Sequence, residues 1–589
     1  MATTTGRATG VEPAPGPQRI AVQNGAEAFV EMLSNNGVEY IFLNSGTDTF
    51  PVQEAILRLG EKQRKAPQII LCIDEGIALP AAQGYFQLTH QPQVVLVHVD
   101  AGTLQLGGAY HNVQRDRAGV VVCAGRAPTT IADRLPGAKD LNIHWLQEQR
   151  DQHGINRTFT KWDYELRRNE SLHWVTQKAF QVASSEPAGP VYLTLPRENL
   201  LEKMEYLDLP PISRHSAPVA PAADPAALAT LADWLVSARS PLIVAGTPGR
   251  YPESVAHLAA LAEAVAAPVC GALSTRMNLP TNHPMNAGFI TDQRIKEADV
   301  ILVIDDDVPW LPSPDTLEPE AKIAWIDIDA SKDTIPMWSF PADLLIHAAS
   351  RKALPALLDA INERLTAADR QRIAERVARI SAETQARREK VIANAQATGK
   401  DRPLKQAWIA HCLNQVLPED GIVLSETVRS ASSVTPVLQR TQPGTYFGSG
   451  GASLGYALGA ALGAKLARPE KDVVAMVGDG SFVFGRPTAA FWAAEKYNLP
   501  FLTIILNNQR HFATRESWEK HIPDSAAQRA GNFVGVDIEP SPDYEVLIQA
   551  CRGYGERVED PDEVLPAIQR GLERTRNGQA ALLDMRIVR

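Results

Sequence analysis

Residues 477–510 read VGDGSFVFGRPTAAFWAAEKYNLPFLTIILNNQR. An apolar run ends in Gly478-Asp479-Gly480-Ser481, a helix-like segment follows, and a second apolar run, Phe501 to Leu506, ends in Asn507-Asn508. This is the pattern of a strand–helix–strand unit. In open α/β sheets, ligands bind beyond the carboxyl ends of strands. Asp479 and the Asn pair stand at two such ends, and one unit can bring them side by side. A carboxylate and an amide oxygen are hard ligands suited to Mg²⁺ or Ca²⁺. Mg²⁺ takes one or two protein carboxylates and completes its octahedron with phosphate oxygens and water. Gly478, Gly480 and Ser481 leave backbone N–H groups open to a phosphate. The stretch therefore predicts a metal-bridged diphosphate site. The competing reading is a plain strand-to-helix turn.

The rest of the chain sets the frame. At 589 residues it is too long for one hydrophobic core; three or four domains of roughly 100–200 residues are expected. A hydrophobic fraction of 44% and a charged fraction of 21% are ordinary for a soluble protein. A net charge of -10 argues against a nucleic-acid partner, which calls for a basic face. Cys72, Cys123, Cys270, Cys412 and Cys551 are scattered with no CxxC pair. That argues against a zinc ribbon or disulfide framework and fits a reducing cytoplasm. No apolar run reaches the roughly 20 residues of a membrane span. Residues 1–19 are rich in Thr, Ala, Gly and Pro, lack a signal-type apolar segment, and read as disordered.

Three blocks alternate apolar strands with helical patterns, so the expected class is α/β: three doubly wound domains with mainly parallel sheets. The first covers 20–199, with strands YIFLNSG, QIILCID, QVVLVHVD, GVVVCAG and GPVYLTLP. A Pro- and Ala-rich stretch, 200–225, reads as a linker. The second block, 226–365, has PLIVAG, PVCGA, VILVIDD and IAWIDID. A charged helix and linker follow at 366–402. The third block, 403–589, has GIVLSE, DVVAMVGDG, PFLTIILNN and ALLDMRIV. The first and third blocks share size and layout, as a duplication would leave.

The GDG…NN motif resembles that of the thiamine-diphosphate-dependent 2-oxo-acid decarboxylase and acetohydroxyacid synthase superfamily, at slightly longer spacing. The resemblance implies that Asp479, the Asn508 side chain and the Arg510 carbonyl hold the metal. Upstream, GSGGASLGYALGAALGAKLARPEKDVVAMVGDGS is similar to the family's glycine-rich entry to that domain. It puts Leu454 between the two cofactor rings and the Ala452 carbonyl on the aminopyrimidine. Thr427, Val428 and Arg429 fall where the family binds the diphosphate. Thiamine chemistry also needs a carboxylic acid on the pyrimidine N1′, which activates thiazolium C2 to an ylid. Glu75 opens a nearly all-apolar helix and resembles the family's glutamate, with Ala81, Ala82, Gly84 and Tyr85 in step. A helix-starting acid that complements the dipole is the alternative.

Within the superfamily, LNSGTDTFP and HVDAGT look like segments of the benzoylformate decarboxylases. They put Thr47 at an active-site serine and His98 at an active-site histidine. Thr47 either meets a substrate carboxylate or caps the next helix; His98 either handles a proton or is a hydrogen-bonded strand-end histidine. Where those enzymes carry a second histidine, this chain has DDDVPWLPSP; Trp310 and Leu311 either line the pocket or pack the loop. Arg510, His511 and Arg515 would form a cationic rim. Gln105 and His111 approach the cleft in an unassigned role, and Gln105 is similar to a glutamine of the carboligases. Non-oxidative decarboxylation of a 2-oxo acid is the expected activity. An acetolactate-synthase-like carboligase, a 2-hydroxyketone lyase and an inactive cofactor-binding scaffold are the alternatives. PLIVAGTPGRYPES offers Gly246 and Gly249 but no GxGxxG, so FAD is not expected. The family's sites lie between chains, which implies a homodimer or homotetramer.

Overall fold

The computed structural model describes residues 16, 18–131, 134–272, 275–312, 317 and 320–588. Most of the 1–19 stretch read as disordered lies outside them. Its last residues open β1 (Gln18–Ala21). The first domain is then built on β2 (Tyr40–Leu43), β3 (Gln68–Leu71), β4 (Gln93–Val97), β5 (Val120–Arg126), β6 (Trp162–Glu165) and β7 (Val191–Pro196). All pairings are parallel, in the order β3-β2-β4-β5-β7-β6. β8 (Tyr206–Leu209) pairs antiparallel with β1. The stretch 200–225, read as a linker, thus contains a strand that ties the start of the domain to its end.

The middle domain carries β9 (Pro241–Ala245), β10 (Val269–Gly271), β11 (Asn286–Phe289), β12 (Val300–Ile304), β13 (Lys322–Asp327) and β14 (Leu344–His347), in the order β11-β10-β9-β12-β13-β14. The helix Ala367–Ala397 follows, its N-terminus closed by a capping box between Thr366 and Asp369. The third domain has β15 (Ile422–Glu426), β16 (Tyr446–Gly448), β17 (Val473–Gly478), β18 (Leu502–Asn507), β19 (Tyr554–Val558) and β20 (Ala581–Arg586), in the order β16-β15-β17-β18-β20-β19. Counted from its own first strand, each outer domain runs second, first, third, fourth, sixth, fifth. The expectation of three parallel-sheet α/β domains holds. The central strands are buried on both faces, which is why they read as unbroken Val, Ile and Leu runs.

The first and third domains share one core, in which Phe42, Ile77 and Val97 cluster with Tyr456, Val477 and Phe482. Its seam is the crossing of helices Glu75–Thr89 and Ala457–Ala467. Both are apolar nearly all round and buried accordingly. A Cβ at Gly463 would lie 1.9 Å from the Ala81 carbonyl oxygen, so only glycine permits this backbone approach. Where the three domains meet, Arg276 Nη2 donates to Asp116 Oδ1 at 2.5 Å, with both side chains buried. Gln83 and Gln87 donate to the other Asp116 oxygen at 3.0 and 2.8 Å.

Candidate active site

Three neighbouring strands of the first sheet, β3, β2 and β4, bring Glu75, Thr47 and His98 to one carboxyl edge. Glu75 is the first residue of its helix and is buried; Asp74 is the N-cap, its side chain accepting from Gly76 N–H. His98 sits at the N-cap position of helix Val99–Arg115. Its Nδ1 lies 2.5 Å from Asp48 Oδ1, and its Nε2 lies 3.0 Å from the Gln147 amide nitrogen. The bond to Asp48 raises the His98 pKa against the opposing effect of burial. Thr47 is exposed and lines a small cavity with His98, Gln147, Arg126 and Arg197. It is not the cap of the next helix; Thr49 occupies that position, ahead of Phe50–Glu61.

The equivalent edge of the third sheet gathers the rest. Asp479 follows β17 and Asn508 follows the adjacent β18. The two asparagines divide the work. Asn507 donates to Asp584 Oδ1 at 2.8 Å, and its own oxygen accepts the Gln509 N–H at 3.1 Å, so it is spent on the turn. The Asn508 oxygen accepts one N–H, from Arg510 at 3.2 Å, and the residue is half-buried. Asp479 is 3% exposed, and its Oδ2 has no hydrogen-bond partner. Burial pushes this carboxyl up to about 6. A buried, unsatisfied carboxylate oxygen is costly unless a cation meets it. The Asp479 carboxylate and the Asn508 amide oxygen stand at adjacent strand ends and are hard donors of the kind that would fit a divalent cation, while the Arg510 carbonyl accepts the Phe512 N–H at 3.0 Å. Ser481 is buried in the short helix Asp479–Phe484 that opens this turn with Gly480.

Thr427, Val428, Arg429, Ala452 and Leu454 line one cleft of about 1220 Å³ between the middle and third domains. Glu426, absent from the sequence reading, holds its wall. The buried carboxylate accepts from Gly455, Tyr456 and Ala457 N–H at 2.6, 3.0 and 2.9 Å, fixing the loop that presents Ala452 and Leu454. Burial outweighs these bonds and raises Glu426 to about 7. Asp48 was likewise missed.

The remaining candidates scatter. His511 lies against the Gly478–Ser481 turn, its ring 3.1 Å from where a Gly480 Cβ would be. Arg510 and Arg515 turn to Asp537 and Glu519, at 3.5 and 2.8 Å, so the expected cationic rim is largely neutralised. His111 is half-buried against Gly451, while Gln105 is exposed on a helix kinked at Gly107. Trp310 is buried against Phe340 in a middle-domain core and Leu311 is 83% exposed, so Trp310 packs its loop rather than lining a pocket. Gly246 and Gly249 are taken up by close packing on Asp305 and Met277 backbone.

Family models account for most of this architecture. Residues 23–155 match the thiamine pyrophosphate enzyme N-terminal TPP binding domain, 228–357 the central domain, and 429–585 the C-terminal TPP binding domain. The chain belongs to the thiamine pyrophosphate enzyme family. It is 26% identical over 556 residues to the Pseudomonas aeruginosa protein named "Probable 2-ketoarginine decarboxylase", covering 91% of this chain and 89% of that one. It is 25% identical over 547 residues to the benzoylformate decarboxylase of the same species, covering 90% and 92%. The solved 4-hydroxybenzoylformate decarboxylase of Rhodococcus jostii RHA1 shares its fold, with a TM-score of 0.76 at 21% identity over 96% and 99% of the two chains. As a family member this protein is a thiamine-diphosphate-dependent enzyme of C–C bond chemistry, and both outer domains that would hold the cofactor are present. Among the described residues, no helix is long and apolar enough to cross a membrane.

Proposed function

We propose that this enzyme decarboxylates a 2-oxo acid without oxidation. The observation that carries the reading is the convergence of Glu75, Thr47 and His98 on three adjacent strand ends. Thiamine diphosphate, when bound, supplies a nucleophilic thiazolium carbon and a sink for the electrons of the broken C–C bond. Glu75 holds a proton at the pyrimidine N1′; its burial keeps water from competing for it. Leu454 and the Ala452 carbonyl orient the two rings. Asp479, Asn508 and the Arg510 carbonyl would hold Mg²⁺, or Ca²⁺, with the diphosphate; Gly478, Gly480 and Ser481 lie in the same turn and Thr427, Val428 and Arg429 at the end of the neighbouring β15. Thr47 binds the substrate carboxylate, and His98 moves a proton at the carbonyl oxygen. His511 stands beside the metal turn, and Gln105 and His111 are assigned to the pocket rim.

The cleft carrying Ala452 and Leu454 and the cavity carrying Thr47 and His98 are lined by different residues. This supports an assembly in which the first domain of one copy completes the third domain of another, as a homodimer or homotetramer. Five free, buried cysteines support a cytoplasmic setting.

The test is turnover of aromatic, branched and basic 2-oxo acids by the purified protein with Mg²⁺ and thiamine diphosphate. CO₂ with a free aldehyde supports the reading. CO₂ with a hydroxyketone moves the enzyme to the carboligases, and no CO₂ from any of them contradicts it.

A further inference from the structure

The His98 ring lies in a slot that two distant glycines open. A Cβ at Gly46 would sit 2.2 Å from His98 Nδ1, and a Cβ at Gly125 would sit 1.6 Å from Asp48 Oδ2. A side chain at either position would displace the imidazole or the Asp48 carboxylate. Asp48 is 5% exposed. One of its oxygens meets His98 Nδ1 at 2.5 Å, and the other accepts the Val99 N–H at 3.1 Å. Val99 is itself in an unusual conformation. Its φ is +33°, a left-handed conformation that a β-branched residue adopts only under constraint. The strained residue thus adjoins His98 and holds one oxygen of Asp48.

The other charged groups around the ring are occupied elsewhere. Arg126, at the end of β5, pairs with Glu165 at 3.0 Å. Arg197 pairs with Asp140 at 2.9 Å, and His144 is 3.2 Å from the same carboxylate. Asp100 adds a weaker negative field from the His98 helix itself. Asp48 is the buried carboxylate in direct contact with the imidazole.

We propose that Asp48 is the positioning residue for His98: it fixes the proton on Nδ1 and leaves Nε2 as the nitrogen that exchanges protons with substrate. The inference rests on the role given to His98 in the decarboxylase reading. A carboxylate on Nδ1 sets the tautomer and favours the imidazolium, the direction in which His98 is displaced. Gln147 matches both states of Nε2. Its N–H donates to the neutral ring, and after amide rotation its oxygen accepts from the charged one. Because the exchangeable proton resides on the imidazolium, turnover persists to a higher pH than an unassisted histidine would permit.

The test uses the holoenzyme with Mg²⁺ and thiamine diphosphate. Asp48→Asn keeps the shape and a hydrogen bond but removes the charge. It is expected to lower kcat about tenfold or more and to move the alkaline limb of the kcat–pH profile to lower pH. C2–H/D exchange of the cofactor, which depends on Glu75, should change by less than about twofold. Asp48→Asn added to His98→Ala should cost nothing further. An unmoved pH profile, or losses that multiply in the double variant, would overturn the proposal. Should Asp48→Asn fail to fold, NMR titration of His98 in the wild type decides. A value above that of free histidine supports the pair, and one below it overturns it. A wild type that turns over no 2-oxo acid, yet shows a raised His98 titration that falls in Asp48→Asn, defeats the decarboxylase reading and leaves the pair intact.

Discussion

The Glu75 carboxylate rests on the bare Cα of Gly102, one turn into the His98 helix; a Cβ there would lie 2.9 Å from Glu75 Oε1 and 3.0 Å from Val97 Cβ. Gly102 N also donates to the His98 carbonyl at 2.6 Å, so the same turn positions both residues. Gly102→Ala should push the carboxylate aside while leaving the fold in place. The expected result is a loss of about tenfold or more in cofactor C2–H/D exchange, since an ångström of misplacement is worth up to about a hundredfold. Thermal unfolding should shift by only a few degrees. Exchange kinetics and a melting curve on the same preparation check this.

The seam between the outer domains makes a sharper stability prediction. Gly463→Ala places its methyl 1.9 Å from the Ala81 carbonyl, where the obstacle is backbone and cannot swing away. Overpacking of this kind costs about 1–3 kcal/mol or more. Gly60, on the exposed face of helix Phe50–Glu61, has nothing within 4 Å of its Cβ position. Gly60→Ala should be neutral or stabilise by up to about 1 kcal/mol. Urea unfolding of the two variants should move in opposite directions.

Arg276 and Asp116 form a buried pair at the junction of three domains, with exposures of 5% and 2%. Removing one partner strands the other charge. Arg276→Met is therefore expected to cost about 3–5 kcal/mol, with Gln83 and Gln87 left as the remaining partners of Asp116. The measurement is the denaturant midpoint, followed by the Km for thiamine diphosphate, because the same glutamines hold the Gly448 and Ser449 carbonyls at 3.2 and 2.9 Å.

Glu426 gives a pH dependence whose sign is set by its raised pKa. A carboxyl that titrates near 7 in the fold, against 4.5 ordinarily, binds its proton more readily folded than unfolded. Its contribution is greatest below 4.5 and is lost as pH rises to about 7, a swing of about 3 kcal/mol at 1.36 kcal/mol per unit. Glu426→Gln cannot ionise. The advantage of wild type over this variant should shrink between pH 5 and pH 8, as read from melting temperatures across that range.

The strands missed in the sequence share one property. β6, β11, β14, β16 and β19 each lie at the edge of a six-stranded sheet, and β1 and β8 pair only with each other, so every one has a single paired neighbour. Several of them are only partly buried, so sequences such as WDYE and NAGF lack the apolar run that marks a central strand. β3 is the edge strand that was legible, through QIIL; β14, LLIH, carries a similar short run and was nonetheless missed. The site divides in the same way. Glu75 and Asp479 stand out in the sequence because each follows an apolar strand and opens a helix. Asp48 and Glu426 do not. Asp48 acts through a contact 50 positions away and Glu426 through one 29 positions away, and neither spacing leaves a local pattern. Trp310 looks the same in sequence whether it lines a pocket or fills a core; its contact with Phe340 decides for the core.

The central claim is that buried Glu75 drives proton exchange on the cofactor. The most direct measurement is C2–H/D exchange of thiamine diphosphate on the wild type and on Glu75→Gln, with Mg²⁺ present. The account predicts fast exchange on the wild type and a loss of about a hundredfold or more in the variant. Exchange on the wild type no faster than in free cofactor, or an unaffected variant, would contradict it.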